Sequence, residues 1–179
     1  YGPKALSSAG RVGDGLILQI AAPTICKWLG DQAIAAGKAA GRDMSNYKIM
    51  AAAPAYTGDR QAAIEKVKWF PAMVGNHVAD IVEKYGTNSD DIPSSLTSYI
   101  KNRRGYDYSK HGQSDNPYLD FITDDVVDEF CVLGTAEEQI NKLNQLKDVG
   151  ITQFNVYLDS GDEEKIIADY GEHVIPAFS

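Results

Sequence analysis

Residues 135–158 read TAEEQINKLNQLKDVGITQFNVYL, and two periodicities follow one another in them. Thr135, Ala136, Glu137 and Glu138 form the T-x-x-E pattern of a capping box, which opens a helix running to about Val149. Gly150 ends that helix, because glycine takes the left-handed conformation at a helix C-terminus at little cost. From Gln153 the period becomes two: Phe154, Val156 and Leu158 alternate with Gln153, Asn155 and Tyr157. One face of this strand must pack on helices. The other meets something more polar, such as a barrel interior or a ligand rim.

The same succession recurs upstream. Tyr1-Gly2-Pro3-Lys4-Ala5-Leu6 opens a helix, with Pro3 suited to the first helical position. A Gly13-Asp14 turn then leads into an apolar strand over residues 15–20. Residues 23–40 are Ala-rich, with Ile25, Leu29, Ala33 and Ala36 near helical spacing, and Gly41 ends that helix. A second apolar strand covers 47–53, and Asp59 caps a helix over 59–70. A last helix covers 162–173. Strand and helix alternate, so the expected architecture is a βαβ series of three parallel strands in chain order. One stretch breaks the rhythm. Residues 71–130 carry no strand pattern but hold helical pieces at 75–85, 94–102 and 123–130 and a polar segment at 103–117. That exceeds an ordinary crossover and reads as a helical insertion before the last strand.

Composition narrows the function. The 179 residues carry 44% hydrophobic side chains and a net charge of -8. An acidic chain of this kind lacks the basic face of a non-specific nucleic-acid binder. Cys26 and Cys131 are far apart with no CxxC, which reads as two buried thiols in a cytoplasmic protein, a disulfide or a metal pair being the alternative. No apolar run reaches a membrane span of about 18 residues. His77, His111 and His173 are dispersed without metal-ligand spacing, so no metal site is expected.

Three ordered motifs carry a family resemblance: GPKALSSAGRVGDGLIL at the start, the long helical insertion, and VVDEFCVLGTAEEQINKLNQLKDVGITQFNVYL. The chain resembles the C-terminal half of the bacterial luciferase-like flavin and deazaflavin oxidoreductases. The resemblance implies half of a (βα)8 TIM barrel occupying residues 1–179, with the insertion at about 71–130. It also implies coenzyme F-420 (8-hydroxy-5-deazaflavin) or reduced FMN as the hydride or oxygenation cofactor, with a small-molecule substrate the sequence does not name. The turn at Tyr1 and Gly2 would present backbone amides to the cofactor phosphate, and a helix N-terminus favours an anion there. Gln19, at the C-terminal edge of its strand, matches a position that often contacts phosphate. Ala22 departs from the pattern, standing where some relatives carry a phosphate-binding lysine. Arg103 and Arg104 form a basic cluster with Lys101 and Lys110, able to hold a phosphate or carboxylated tail. In the resembled family the acid/base groups around the reactive ring come mostly from the first four strands, so no catalytic residue is expected in this chain.

A half-barrel leaves apolar strand positions to cover. Leu16, Ile17, Leu18, Val156 and Leu158 therefore predict a partner: the N-terminal half of the barrel or a second copy of the chain. The rival reading is a non-catalytic half-barrel that serves as a binding or assembly module.

Overall fold

A computed structural model describes residues 2–85 and 122–179 of the chain. Three strands, β1 (Gly15–Leu18), β2 (Lys48–Thr57) and β4 (Gln153–Tyr157), are parallel neighbours. Met50 and Ala51 pair with Ile17 and Leu18 of β1 and also with Gln153 and Phe154 of β4. β1 and β4 therefore occupy opposite edges of β2, and these three strands stand in chain order as expected.

The sheet departs from the sequence reading in its number of strands and in the length of β2, expected over 47–53. It has a fourth strand, β3 (Val132–Gly134), which pairs in parallel with the far end of β2, Ala55 to Val132 and Thr57 to Gly134. Three buried residues directly behind a helix show no period, and β3 forms only because β2 runs on to Thr57. β2 passes through Pro54, at a level where β1 has already ended.

Seven α-helices among the described residues surround these strands: α1 (Pro3–Val12), α2 (Pro23–Ala39), α3 (Arg60–Val67), α4 (Trp69–Tyr85), α5 (Asp124–Phe130), α6 (Ala136–Asp148) and α7 (Glu163–Asp169). The expected helix over 59–70 is two helices: Asp59 caps α3 through its carboxylate and the Ala62 amide at 2.8 Å, and α4 starts at Trp69. Pro71 sits in the first turn of α4, where its missing N–H costs nothing. α6 carries the capping box, with Thr135 N–H donating to Glu138 at 2.7 Å and the Glu138 amide to Thr135 Oγ1 at 3.3 Å. The last helix is shorter than expected: α7 stops at Asp169, and a π turn over Tyr170–Val174 and a 3₁₀ turn over Ile175–Phe178 follow it. The expected helix at 94–102 and the polar segment at 103–117 lie outside the described residues.

Register assigns the two faces of the sheet, because paired residues point to the same side. Leu16, Leu18, Ile49, Ala51, Ala53, Phe154 and Val156 share one face and belong to or border the core. α2 packs there: a Cβ on Gly30 would approach Ile49 Cδ1 to 2.9 Å. On the other face Ile17 is 63% exposed, and Gln153 and Asn155 are exposed as well. The expected partition of β4 into a helix-packed face and a more open, polar face is therefore present. It also corrects the list of uncovered apolar positions. Leu18 is buried and Leu16 and Val156 border the core, whereas Ile17 and Leu158 stay exposed.

Both thiols are buried, as expected, and burial pushes Cys26 up to about 12 and Cys131 higher still. Among the described residues no helix is long and apolar enough to cross a membrane.

Candidate functional site

α1 runs into β1 through the Gly13-Asp14 turn, so its N-terminus lies at the level of the strands' C-terminal ends. Gly2 holds φ +109°, a conformation that disfavours any side chain, and its carbonyl accepts from Leu6 N–H at 3.0 Å. No side chain caps this helix. The first-turn amides of Lys4 and Ala5 thus have no acceptor within the helix, and nothing lies within 4 Å of a Cβ built on Gly2. Open amides at a helix start of this kind favour an oxyanion. Tyr1, Arg103 and Arg104 lie outside the described residues.

Gln19 sits one residue past β1, and its Nε2 donates to the Tyr157 hydroxyl at 2.9 Å. The Tyr157 ring meets the buried Phe70 ring edge-on, with centroids 5.6 Å apart and planes at 77°, and Phe70 in turn stacks edge-on with Trp69 at 5.7 Å. The start of α4 therefore closes against the ends of β1 and β4. The sequence reading found Gln19 but placed Tyr157 only on the polar face of its strand. That face was the available signal; the partner was not, because it is 138 residues away.

A second junction lies beyond β2. Tyr56 donates to Asp162 Oδ2 at 2.6 Å, and Lys66 of α3 bonds the same oxygen. Lys66 and Lys165 lie 5.1 and 5.6 Å from the Tyr56 ring centroid, within reach of its π face. The Lys66 hydrogen bond, followed by that of Tyr56, holds the Asp162 carboxyl below its ordinary range. Asp162 stands at the N-cap of α7 yet caps nothing, since its carboxylate is committed to this junction. Each cation here already has an acceptor, Lys165 bonding the Thr57 carbonyl at 2.8 Å and Asp169 at 2.5 Å. The junction fastens elements together and offers no free charge to a ligand.

A cavity of about 730 Å³ opens elsewhere, between the start of α2 and helices α3, α5 and α6. Its wall is a structural ion network. Arg60 bonds both oxygens of Asp128 at 2.5 Å and Glu138 at 2.9 Å, and Lys142 bonds the carbonyls of Asp128, Glu129 and Cys131 at the end of α5. The edge site at Gln19 and Tyr157 is the better candidate, because parallel α/β barrels carry their chemistry at the strands' C-terminal ends.

The family model described as luciferase-like monooxygenase matches residues 1–153. The chain belongs to this family. Curated relatives include 5,10-methylenetetrahydromethanopterin reductases, from Methanopyrus kandleri at 25% identity and from Methanolobus tindarius at 27%. The first aligns over 99% of this chain and 48% of the relative, the second over 97% and 51%. Solved structures give the same picture. The coenzyme F-420-dependent tetrahydromethanopterin reductase of Methanopyrus kandleri superposes with a TM-score of 0.68 at 22% identity, covering 99% of this chain and 49% of that one. An F-420-dependent secondary alcohol dehydrogenase, bound to an F-420–acetone adduct, superposes with a TM-score of 0.69 at 25% identity, over 99% and 47%. The chain spans about half the length of the relatives it matches. Its fold is the C-terminal half of a luciferase-like (βα)8 barrel.

Proposed function

We propose that the protein carrying this chain is an oxidoreductase that transfers hydride to or from coenzyme F-420. One observation carries the reading. Two similar solved structures differ in what their names say they act on, a pterin in one and a secondary alcohol in the other, yet both name F-420. What such relatives share is the cofactor, so the cofactor is what the likeness supports for this chain; its substrate is an unassigned small molecule. FMN, with reductive or monooxygenase chemistry, is the competing assignment within the same family.

This half of the barrel contributes binding. The α1 N-terminus, with the glycine turn at Gly2 and the amides of Lys4 and Ala5, receives the cofactor phosphate, and Gln19 adds a neutral polar contact. Tyr1, Arg103 and Arg104 stay in the proposed set as contacts to the phosphate and the carboxylated tail. The bound deazaflavin supplies the hydride chemistry, and the protein orients it and keeps water away. The residues that move protons at the ring belong to the rest of the barrel, so the isolated chain is inactive.

The test is a fluorescence titration of the intact protein with F-420 and with FMN, beside the same titration of this chain alone. Tight F-420 binding by the intact protein and weak binding by the chain are expected. Preference for FMN would overturn the cofactor assignment. Full affinity in the isolated chain would overturn the division of labour between the halves.

A further inference from the structure

The open face of the sheet is not equally open at every position. On it Ile17, Gln153 and Asn155 are exposed, whereas Ala52, level with Asn155, is only 2% exposed. Gln19 and Tyr157 lie past the exposed part of this face, at the C-terminal edge of the sheet. They stand at the ends of the two strands that flank β2, and their 2.9 Å hydrogen bond bridges it. Phe70, fully buried, holds the phenol ring from a third element. A strand end, a neighbouring strand end and a helix start thus fix one hydroxyl group. Tyr157 itself is only half-buried.

The direction of the bond decides what that hydroxyl can do. The Gln19 amide donates and the phenol oxygen accepts, so the hydroxyl proton remains to be donated onward. We propose that Tyr157 is a cofactor-binding residue whose hydroxyl, braced by Gln19 and Phe70, donates a hydrogen bond to a phosphate oxygen of the cofactor at the C-terminal edge. The proposal rests on the reading of this edge as a flavin or deazaflavin site. It adds a contact from the last strand to a phosphate site otherwise built from the α1 turn and the end of β1.

Tyr157→Phe tests it in the intact protein, because phenylalanine keeps the edge-on packing and removes only the hydroxyl. The probes are F-420, FMN and riboflavin, the last being FMN without its phosphate. Unfolding midpoints of both proteins are measured alongside. The expected result is an affinity about tenfold lower for the phosphorylated ligand, with riboflavin binding and the unfolding midpoint unchanged. Equal F-420 affinity in the two proteins would overturn the proposal and leave the F-420 reading standing. An equal loss for FMN and riboflavin would overturn it too, since the hydroxyl would then serve the ring. If the protein takes FMN and not F-420, and Tyr157→Phe weakens FMN alone, the proposal stands and the F-420 reading falls. If no probe binds the intact protein, both fall.

Discussion

Gln139 shows what a single buried polar residue does in this fold. It is fully buried, and its amide donates to Thr57 Oγ1 and to the Gly134 carbonyl, both at 3.1 Å, while its oxygen accepts from the Tyr170 hydroxyl at 2.7 Å. One side chain thus ties the end of β2, the end of β3 and the turn after α7. Gln139→Leu keeps the volume but leaves the buried Tyr170 hydroxyl without an acceptor, at a cost of about 1–3 kcal/mol. Urea denaturation should show the lower midpoint. Asp162 makes a different kind of prediction. Its carboxyl is held below the ordinary range by Lys66 and then Tyr56, so the folded state releases the proton more readily than the unfolded chain. The stabilisation is therefore complete above the unfolded value of about 3.9 and is lost as pH falls through the lower folded value. Asp162→Asn should flatten the acid limb of the stability–pH curve while leaving its slope near neutrality alone. An unchanged acid limb would show that other carboxylates govern it, Glu138 first among them, since Thr135 and Arg60 lower it too.

At the scale of elements, α1 and α2 touch through their backbones. A Cβ on Gly10 would lie 1.9 Å from the Ala33 carbonyl oxygen, and one on Gly37 would lie 2.8 Å from the Gly10 oxygen. Every obstacle at Gly10 is backbone, so Gly10→Ala must push the helices apart and should cost about 1–3 kcal/mol, read as a fall in the thermal midpoint. Arg42 completes this corner by donating to the carbonyls of Gly10 and Gly13 at 2.6 and 2.8 Å. Elements with a strong local pattern were legible in the sequence. The capping box of α6, the glycine after it and the alternation of β4 each follow from neighbours within a few residues. β3 was not legible, since three buried residues in a row carry no period. Nor was the length of β2, whose Pro54 reads as a strand end. The break between α3 and α4 escaped because both carry apolar residues at helical spacing. The site was half-legible for the same reason: Gln19 and the face of Tyr157 are local facts, and their meeting is a property of the closed fold.

The whole molecule poses the question of what covers the sheet's open face. Leu16, Leu18 and Val156 face the helices, and Leu158, past the end of β4, falls on their side of the alternation, so the case for a partner rests on Ile17, 63% exposed, with the half-covered Met50 beside it. Each aliphatic side chain taken fully out of water contributes about 1.5–3 kcal/mol, a sizeable share of a stability of about 5–15 kcal/mol. In a closed (βα)8 barrel this face is the packed interior. The rest of the barrel is accordingly the proposed cover, and a second copy of the chain is the alternative. Sedimentation of the isolated chain at micromolar concentration should show a species larger than one 179-residue polypeptide. Ile17→Lys should shift it toward monomer, because an ammonium group cannot be buried on that face without a partner charge. The same substitution should block association with a separately supplied N-terminal half. A chain that sediments as a monomer both with and without Ile17→Lys would show that the open face is tolerated in water, and the case for an obligatory partner would fail.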